Sequence, residues 1–348
     1  MAAPNYVLVK GNAGLGNRIF SVLTGALYAR LSGRRLLVDW TDRMYSSDMS
    51  NVFQQFFVAR SAGESVYDDD EIPDTESVNP WMWRGHLRTS AHKMLMEHAP
   101  EAIHDPLAGA IFSFDPSRLD HDEELLVMWS YNPLIKQMRR HFRGALTAWR
   151  RLDELAILRR LMHDTLELHP SIAGRIADIR RGWGDGPLIG IHVRHTDKRT
   201  NLRQIKARLA ACHRQFPEAS IFLATDNAKV EQEFRRDYPG MLTAPKWYPT
   251  SGRLHGREEC PDRLQNLAEA LIDLYLLAGC EHLIINGSSS LGYLAQVVGY
   301  TPPRRVIDVR SGHQLPPWLR EAALSIYSFA RWGVRRRIIG TPKHGPAL

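Results

Sequence analysis

Leu188-Ile189-Gly190-Ile191-His192-Val193-Arg194-His195-Thr196-Asp197-Lys198 is the stretch on which the fold turns. Its first half is an apolar run that follows Gly182-Trp183-Gly184-Asp185-Gly186-Pro187, and it reads as a strand buried in a parallel sheet after a tight connection. Its second half is dense in Arg, His, Asp and Lys. A buried strand that ends this way carries those groups to the rim of the sheet, where α/β proteins meet phosphorylated ligands. Arg194 offers a planar fork for bidentate phosphate contact, and Lys198 a point charge for the same anion. The plainer alternative is a strand end dressed with surface ion pairs.

Outward from this strand, strand and helix alternate. Strands are predicted at 188–194, 220–225, 282–285 and 304–309, and helices at about 203–215, 228–238, 262–278, 291–298 and 317–330, which implies a parallel sheet with helices on both faces. Toward the N-terminus a second β-α-β unit is predicted: a strand at 6–10, a glycine turn at 11–16, a helix at about 17–31 stopped at Gly33, and a strand at 36–40. Residues 41–124 are less regular, and the acidic run Asp68-Asp69-Asp70-Glu71 reads as a solvated loop. A further strand is expected at 125–129, then a mostly helical segment over 134–168, with Pro133 at its start and Pro170 closing it. A length of 348 residues favours two domains with a cleft between them. The division falls at residues 1–170 and 171–348.

Three other segments have the composition of ligand sites. The strand before Asp226-Asn227 ends in residues that can accept hydrogen bonds from a base or ribose, or simply cap the next helix. Gly287-Ser288-Ser289-Ser290 opens a helix with N–H groups and hydroxyls, a seat for a diphosphate. Gly14-Leu15-Gly16-Asn17-Arg18 lets backbone approach a ligand closely, yet matches neither the dinucleotide fingerprint nor a phosphate-binding P-loop, which weakens dehydrogenase and kinase readings.

Lys plus Arg exceed Asp plus Glu by 45 − 38 = 7, an excess that favours anionic ligands or surfaces. No zinc-finger spacing, RNA-recognition motif or aromatic-basic stripe supports nucleic acid. Three cysteines at unrelated spacings fit a reducing compartment better than a disulfide framework. No signal peptide or membrane span is read in the chain, so the expectation is a cytoplasmic protein. The 15 histidines show no paired metal spacing, and no metal or cofactor is expected. The segment Trp318 to Arg337 joins aromatics to arginines; it fits an anionic membrane surface, though packing back across the lobes is the preferred reading.

Four blocks, in order, carry a resemblance over about residues 7–310: the Gly11–Arg18 turn with Leu36–Trp40, the His192–Lys198 segment, Ala224-Thr225-Asp226, and the run from Leu254-His255 through Leu271–Leu277 to Ser288–Ser290. On these the chain resembles the alpha-1,6-fucosyltransferase family, in the style of its rhizobial nodulation branch. The resemblance implies a GT-B-like α/β fold of two Rossmann-like lobes, with residues 1–170 on the acceptor side and 171–348 on the donor side. It also implies GDP-fucose as donor, inversion at the anomeric carbon and no metal.

In that likeness Arg194 matches the arginine that contacts the donor diphosphate, and His195 takes the place of a second arginine of the animal branch. Lys198 joins them on the leaving group. The donor-side set is Gly14, Gly16, Asn17, Arg18, His192, Asp226, Asn227, Asp273, Ser288, Ser289 and Ser290, with Asp39 and Trp40 on the acceptor side. A glutamate that the animal enzymes carry beyond this lysine is absent from Arg199-Thr200-Asn201-Leu202, which leaves Asp197, His195 or Asp39 as the base, or an acceptor that supplies its own activation. Two other readings stand beside this one: a transferase of different linkage or another GDP sugar, and a binding protein without catalysis.

Overall fold

The structure, a computed structural model, describes residues 5–59, 72–102, 108–196, 200–250 and 259–309. Tyr6–Lys10 (β1) is buried along its whole length. Helix α1, Leu15–Ser32, ends at Gly33, whose φ of 72° lies in the left-handed region that glycine enters without steric cost. Strand β2, Arg35–Asp39, returns parallel to β1. After β3, Phe57–Ala59, come β4, Val78–Asn79, then α2, Ala91–His98, α3, Ala108–Ile111, and β5, Leu125–Met128. The first sheet has the order β2-β1-β5-β4, and its neighbours are all parallel.

The helix expected over 134–168 is broken. It resolves into α4, Ile135–Met138, two 3₁₀ turns at Arg139–His141 and Gly144–Arg151, and α5, Glu154–Thr165. Its last residues, Leu166–Leu168, form β6 antiparallel to β3. Pro170 does not close a helix but opens one, α6, Pro170–Arg181. Proline suits that first position because its missing N–H has no intrahelical partner there in any case.

Beyond α6, sequence and structure run closely together. β7 is Leu188–Val193, α7 Leu202–Gln215, β8 Ser220–Thr225, α8 Ala228–Asp237, α9 Arg263–Ala278, β9 His282–Ile285, α10 Ser290–Val298 and β10 Val306–Asp308. Their order is β10-β9-β7-β8, again all parallel. The last strand is shorter than expected because Pro303–Arg305 turns as 3₁₀. The acidic run at 68–71 and the helix expected at 317–330 lie outside the described residues.

The described residues belong to one compact unit, Met1–Val309. A single apolar cluster runs from Val7 and Val9 of β1 through α1, α5, α10 and α9 to Phe222 and Leu283 of the second sheet. The outer faces have cores of their own, Leu8, Leu37 and Val127 under α2 on one side, Ile189, Ile191 and Val193 under α7 and α8 on the other. In each sheet the chain leaves the first strand to one side and comes back on the other, so β1 and β7 sit at the points where strand order reverses. Ligands of open α/β sheets bind beyond the carboxyl ends of such strands.

Candidate functional site

Arg194, His195 and Thr196 follow β7 directly, beside the end of β8. Asp226 ties the two ends together: Oδ1 accepts the His195 backbone N–H at 2.7 Å, and Oδ2 accepts the Thr196 hydroxyl at 2.6 Å. With both oxygens engaged, this carboxylate shapes the loop that carries Arg194. Asn227 is a helix cap, its Oδ1 accepting the N–H groups of Lys229 and Val230 at 3.0 and 3.1 Å.

Beyond the two reversal strands lies a pocket with about 700 Å³ of empty space, counting its open mouth. Gly14, Leu15, Gly16 and Tyr45 line it from the first half of the chain; His192, Arg194, Thr196, Asp226, Asn266, Asp273, Ser289 and Ser290 line it from the second. The starts of α1 and α10 meet here. A Cβ on Gly16 would stand 2.7 Å from Ser290 Oγ and 2.9 Å from its carbonyl carbon, so the two helix ends abut only because residue 16 has no side chain. Two positive helix ends therefore face one space, an anion seat in the making.

Four side-chain atoms buried in the wall of this pocket have no partner among the described residues: His192 Nδ1, Asn266 Nδ2, Asp273 Oδ1 and Ser289 Oγ. Such atoms are costly unless something else satisfies them. Burial, with the charges of Arg194 and Lys246 adding to it, pushes His192 down to about 3, so its imidazole is neutral at physiological pH. Burial pushes the Asp273 carboxyl up to about 6 against the pull of Lys246, whose ammonium pairs with Oδ2. The anion-holding charge of the pocket is thus concentrated in Arg194 and the helix ends.

The chain as a whole is similar to known proteins. The family model for Nodulation protein Z (NodZ) matches residues 145–299. Nodulation protein Z of Azorhizobium caulinodans is 26% identical over 296 residues, covering 80% of this chain and 84% of its own. The chain is similar to the NodZ family over part of its length. The crystal structure of NodZ alpha-1,6-fucosyltransferase co-crystallized with GDP superposes with a TM-score of 0.59 at 23% identity, over 86% of this chain and 93% of that one. The same enzyme soaked with GDP-fucose gives 0.59 at 22% identity, over 85% and 93%. These likenesses establish the two-sheet α/β fold as GT-B.

Within this NodZ-related chain several expected site residues stand elsewhere. Arg18 is wholly buried behind the glycine turn: it pairs with Asp42, donates to Ala13 O at 2.9 Å, and lies 4.7 Å over the ring of Tyr45. It props the pocket through Tyr45 and is not among the lining residues. Asn17 also stands off the pocket wall, its N–H closing the first turn of α1 on Gly14 O at 3.0 Å. Ser288 donates to Asn286 Oδ1 at 2.7 Å in a turn before α10, leaving Ser289 and Ser290 on the pocket.

Asp39 is buried against Lys10 and accepts the Thr41 N–H at 2.7 Å, while Trp40 is 0% exposed and packs edge-on to Phe53 and Phe57. Neither presents itself to an acceptor, and an ion-paired carboxylate is a poor base. Asp197, Lys198, Leu254 and His255 lie outside the described residues. Sequence reasoning passed over Tyr45, Lys246 and Asn266. Tyr45 and Lys246 sit in irregular segments with no local pattern to mark them, whereas Asn266 lies one helical stripe from Asp273, at i and i+7, and that spacing was a usable signal.

Proposed function

We propose that the chain transfers L-fucose from GDP-fucose to a hydroxyl of a glycan acceptor containing N-acetylglucosamine, with inversion at the anomeric carbon and without a divalent ion. The observation that carries this reading is the meeting of Arg194 with the starts of α1 and α10 in one pocket. Relatives with this fold were crystallised with GDP and soaked with GDP-fucose. In this reading residues 171–348 hold the donor, and residues 1–170 the acceptor.

As the bond from fucose to GDP breaks, negative charge grows on the diphosphate and positive charge on the sugar. Arg194 meets the growing anion with a two-pronged hydrogen bond, and the positive helix ends at Gly14–Gly16 and Ser289–Ser290 add to its stabilisation. Asp226 keeps the Arg194 loop in place. His192, being neutral, adds a hydrogen-bonding ring without adding charge. Because departure of the diphosphate leads, the acceptor proton needs only a weak base; Asp197 and His195 are the candidates, His195 following Arg194 in the chain but standing off the pocket lining.

Nucleotide release is measured with GDP-fucose, GDP-mannose and UDP-N-acetylglucosamine, each with a chitin-type oligosaccharide acceptor, in EDTA. The expected result is turnover with GDP-fucose alone, undiminished by EDTA. Absence of GDP-fucose turnover in the presence and absence of added divalent ions would overturn the reading.

A further inference from the structure

We propose that the segment between β5 and α5 is an interaction surface, and that the partner it fits is the anionic headgroup face of a phospholipid membrane. Between Glu124 and Asp153 the chain holds one lysine and five arginines and no acid. The two 3₁₀ turns fold those arginines together: Arg139 Nη1 donates to Arg150 O at 2.9 Å and to Leu152 O at 2.7 Å, Arg150 Nε to Phe142 O at 2.8 Å, and Arg140 Nη2 to Ser117 O. Every one of these acceptors is a backbone carbonyl. Among the described residues none of the five arginines is paired with a carboxylate, and Arg143 and Arg151 make no hydrogen bond. The nearest acid along the chain, Asp153, is turned to α5, its Oδ1 accepting the Ala156 N–H at 2.7 Å.

Like charges gathered without a counter-anion repel one another, an arrangement relieved when an anionic surface takes the counter-anion's place. Arg140, Arg143, Arg150 and Arg151 are exposed, and the turn between them exposes small residues such as Ala145 and Ala148, which let a flat layer of headgroups come close. The aromatic residues of the segment, Phe142 and Trp149, are buried, so it has no platform on which nucleic-acid bases could stack. The cluster also stands clear of the pocket. It rests on Ser117, next to Arg118, whose carbonyl accepts the Tyr28 hydroxyl at 2.9 Å, and Tyr28 lies about 20 Å along α1 from the pocket end at Leu15. A membrane held there does not compete with a donor in the pocket, and the contact is independent of which sugar the pocket holds.

Co-sedimentation of the full chain with vesicles of phosphatidylcholine alone, and of phosphatidylcholine mixed with phosphatidylglycerol, tests this on wild type, on Arg143→Gln with Arg151→Gln, and on Arg143→Lys with Arg151→Lys. Both residues lie outside the hydrogen-bonded framework of the cluster, so the fold is kept, and a melting temperature equal to that of wild type checks it. One arginine near an anionic surface is worth about 5-fold in partition, so the glutamine pair is expected to weaken binding to the mixed vesicles about 25-fold, while the lysine pair retains it. Wild type is expected to leave phosphatidylcholine alone and to come off the mixed vesicles as salt is raised. No binding of wild type to the mixed vesicles, or binding that the glutamine pair leaves unchanged, would overturn the proposal. So would capture of a single-stranded oligonucleotide in place of vesicles, lost in the glutamine pair, which would assign the surface to nucleic acid.

Discussion

The two sheets place their reversal strands alike, each next to the edge strand that follows it in the chain, yet they treat the charged groups at those strand ends in opposite ways. At the end of β1 and β2, Lys10 and Asp39 are buried against each other, Lys10 also donates to Leu87 O at 2.8 Å, and Arg18 is paired with Asp42. At the end of β7 and around it, His192 Nδ1, Asp273 Oδ1, Asn266 Nδ2 and Ser289 Oγ are left without partners on the wall of a pocket. The first edge pairs its charged side chains with one another, although Asn12 Nδ2, Arg18 Nη1 and Trp40 Nε1 there also lack partners among the described residues, whereas the second edge turns its unpartnered atoms onto a pocket. The lesson is that a charged residue at a strand end is a site candidate only until its partners are known.

The comparison is broken most easily from the first edge. Asp39→Ala leaves the Lys10 ammonium buried and unpaired, and it is expected to cost about 3–5 kcal/mol of stability with little change in kcat/KM of the folded enzyme. Denaturant unfolding beside nucleotide release reads both. A collapse of activity at unchanged stability would put Asp39 in the site after all.

The second edge answers with the opposite signature. Arg194→Ala is expected to lower kcat/KM with GDP-fucose about 10²- to 10³-fold while unfolding shifts little, and Arg194→Lys to recover only part, since an ammonium cannot replace a planar fork.

Between the edges, Gly16→Ala sets a methyl against Ser290 and is expected to cost about 1–3 kcal/mol with weaker donor binding. A melting temperature that does not move would mean that residue 16 is small for the ligand alone.

The smallest effect is in pH. Asp273 is raised from 3.8 to about 6, so the ionised carboxylate is present above that value and is lost as pH falls through it. GDP affinity should then weaken from pH 7 to 5, by at most about 10-fold per unit, and Asp273→Asn should flatten the profile. His192, neutral down to about 3, adds no slope, and its imidazole NMR shift should stay constant over the same range.

The second half of the fold was legible because its signals are local. Apolar runs bounded by glycine, proline and capping residues gave Ser220–Thr225 and His282–Ile285 their observed limits. The strands β3 and β6 carry no such signal, being three residues each and paired across more than a hundred positions. Pro170 misled because the same residue that ends a helix from inside begins one from its first position. Of the site, Gly14, Gly16, His192, Arg194, Asp226, Asp273, Ser289 and Ser290 do converge on the pocket.

Sequence alone determined the alternation of strand and helix, the residue types at the strand ends and hence the chemistry on offer, because each depends on neighbours a few positions away. It could not determine which of those groups would be paired inside the protein. Arg18 and Asp39 look as functional as Arg194 when written in a line; only folding sets Asp42 against the first and Lys10 against the second. Tertiary structure likewise decided that α1 and α10, some 275 residues apart in the chain, would meet at Gly16 and Ser290, since that contact follows from the packing of two sheets through a shared core and from nothing local to either segment.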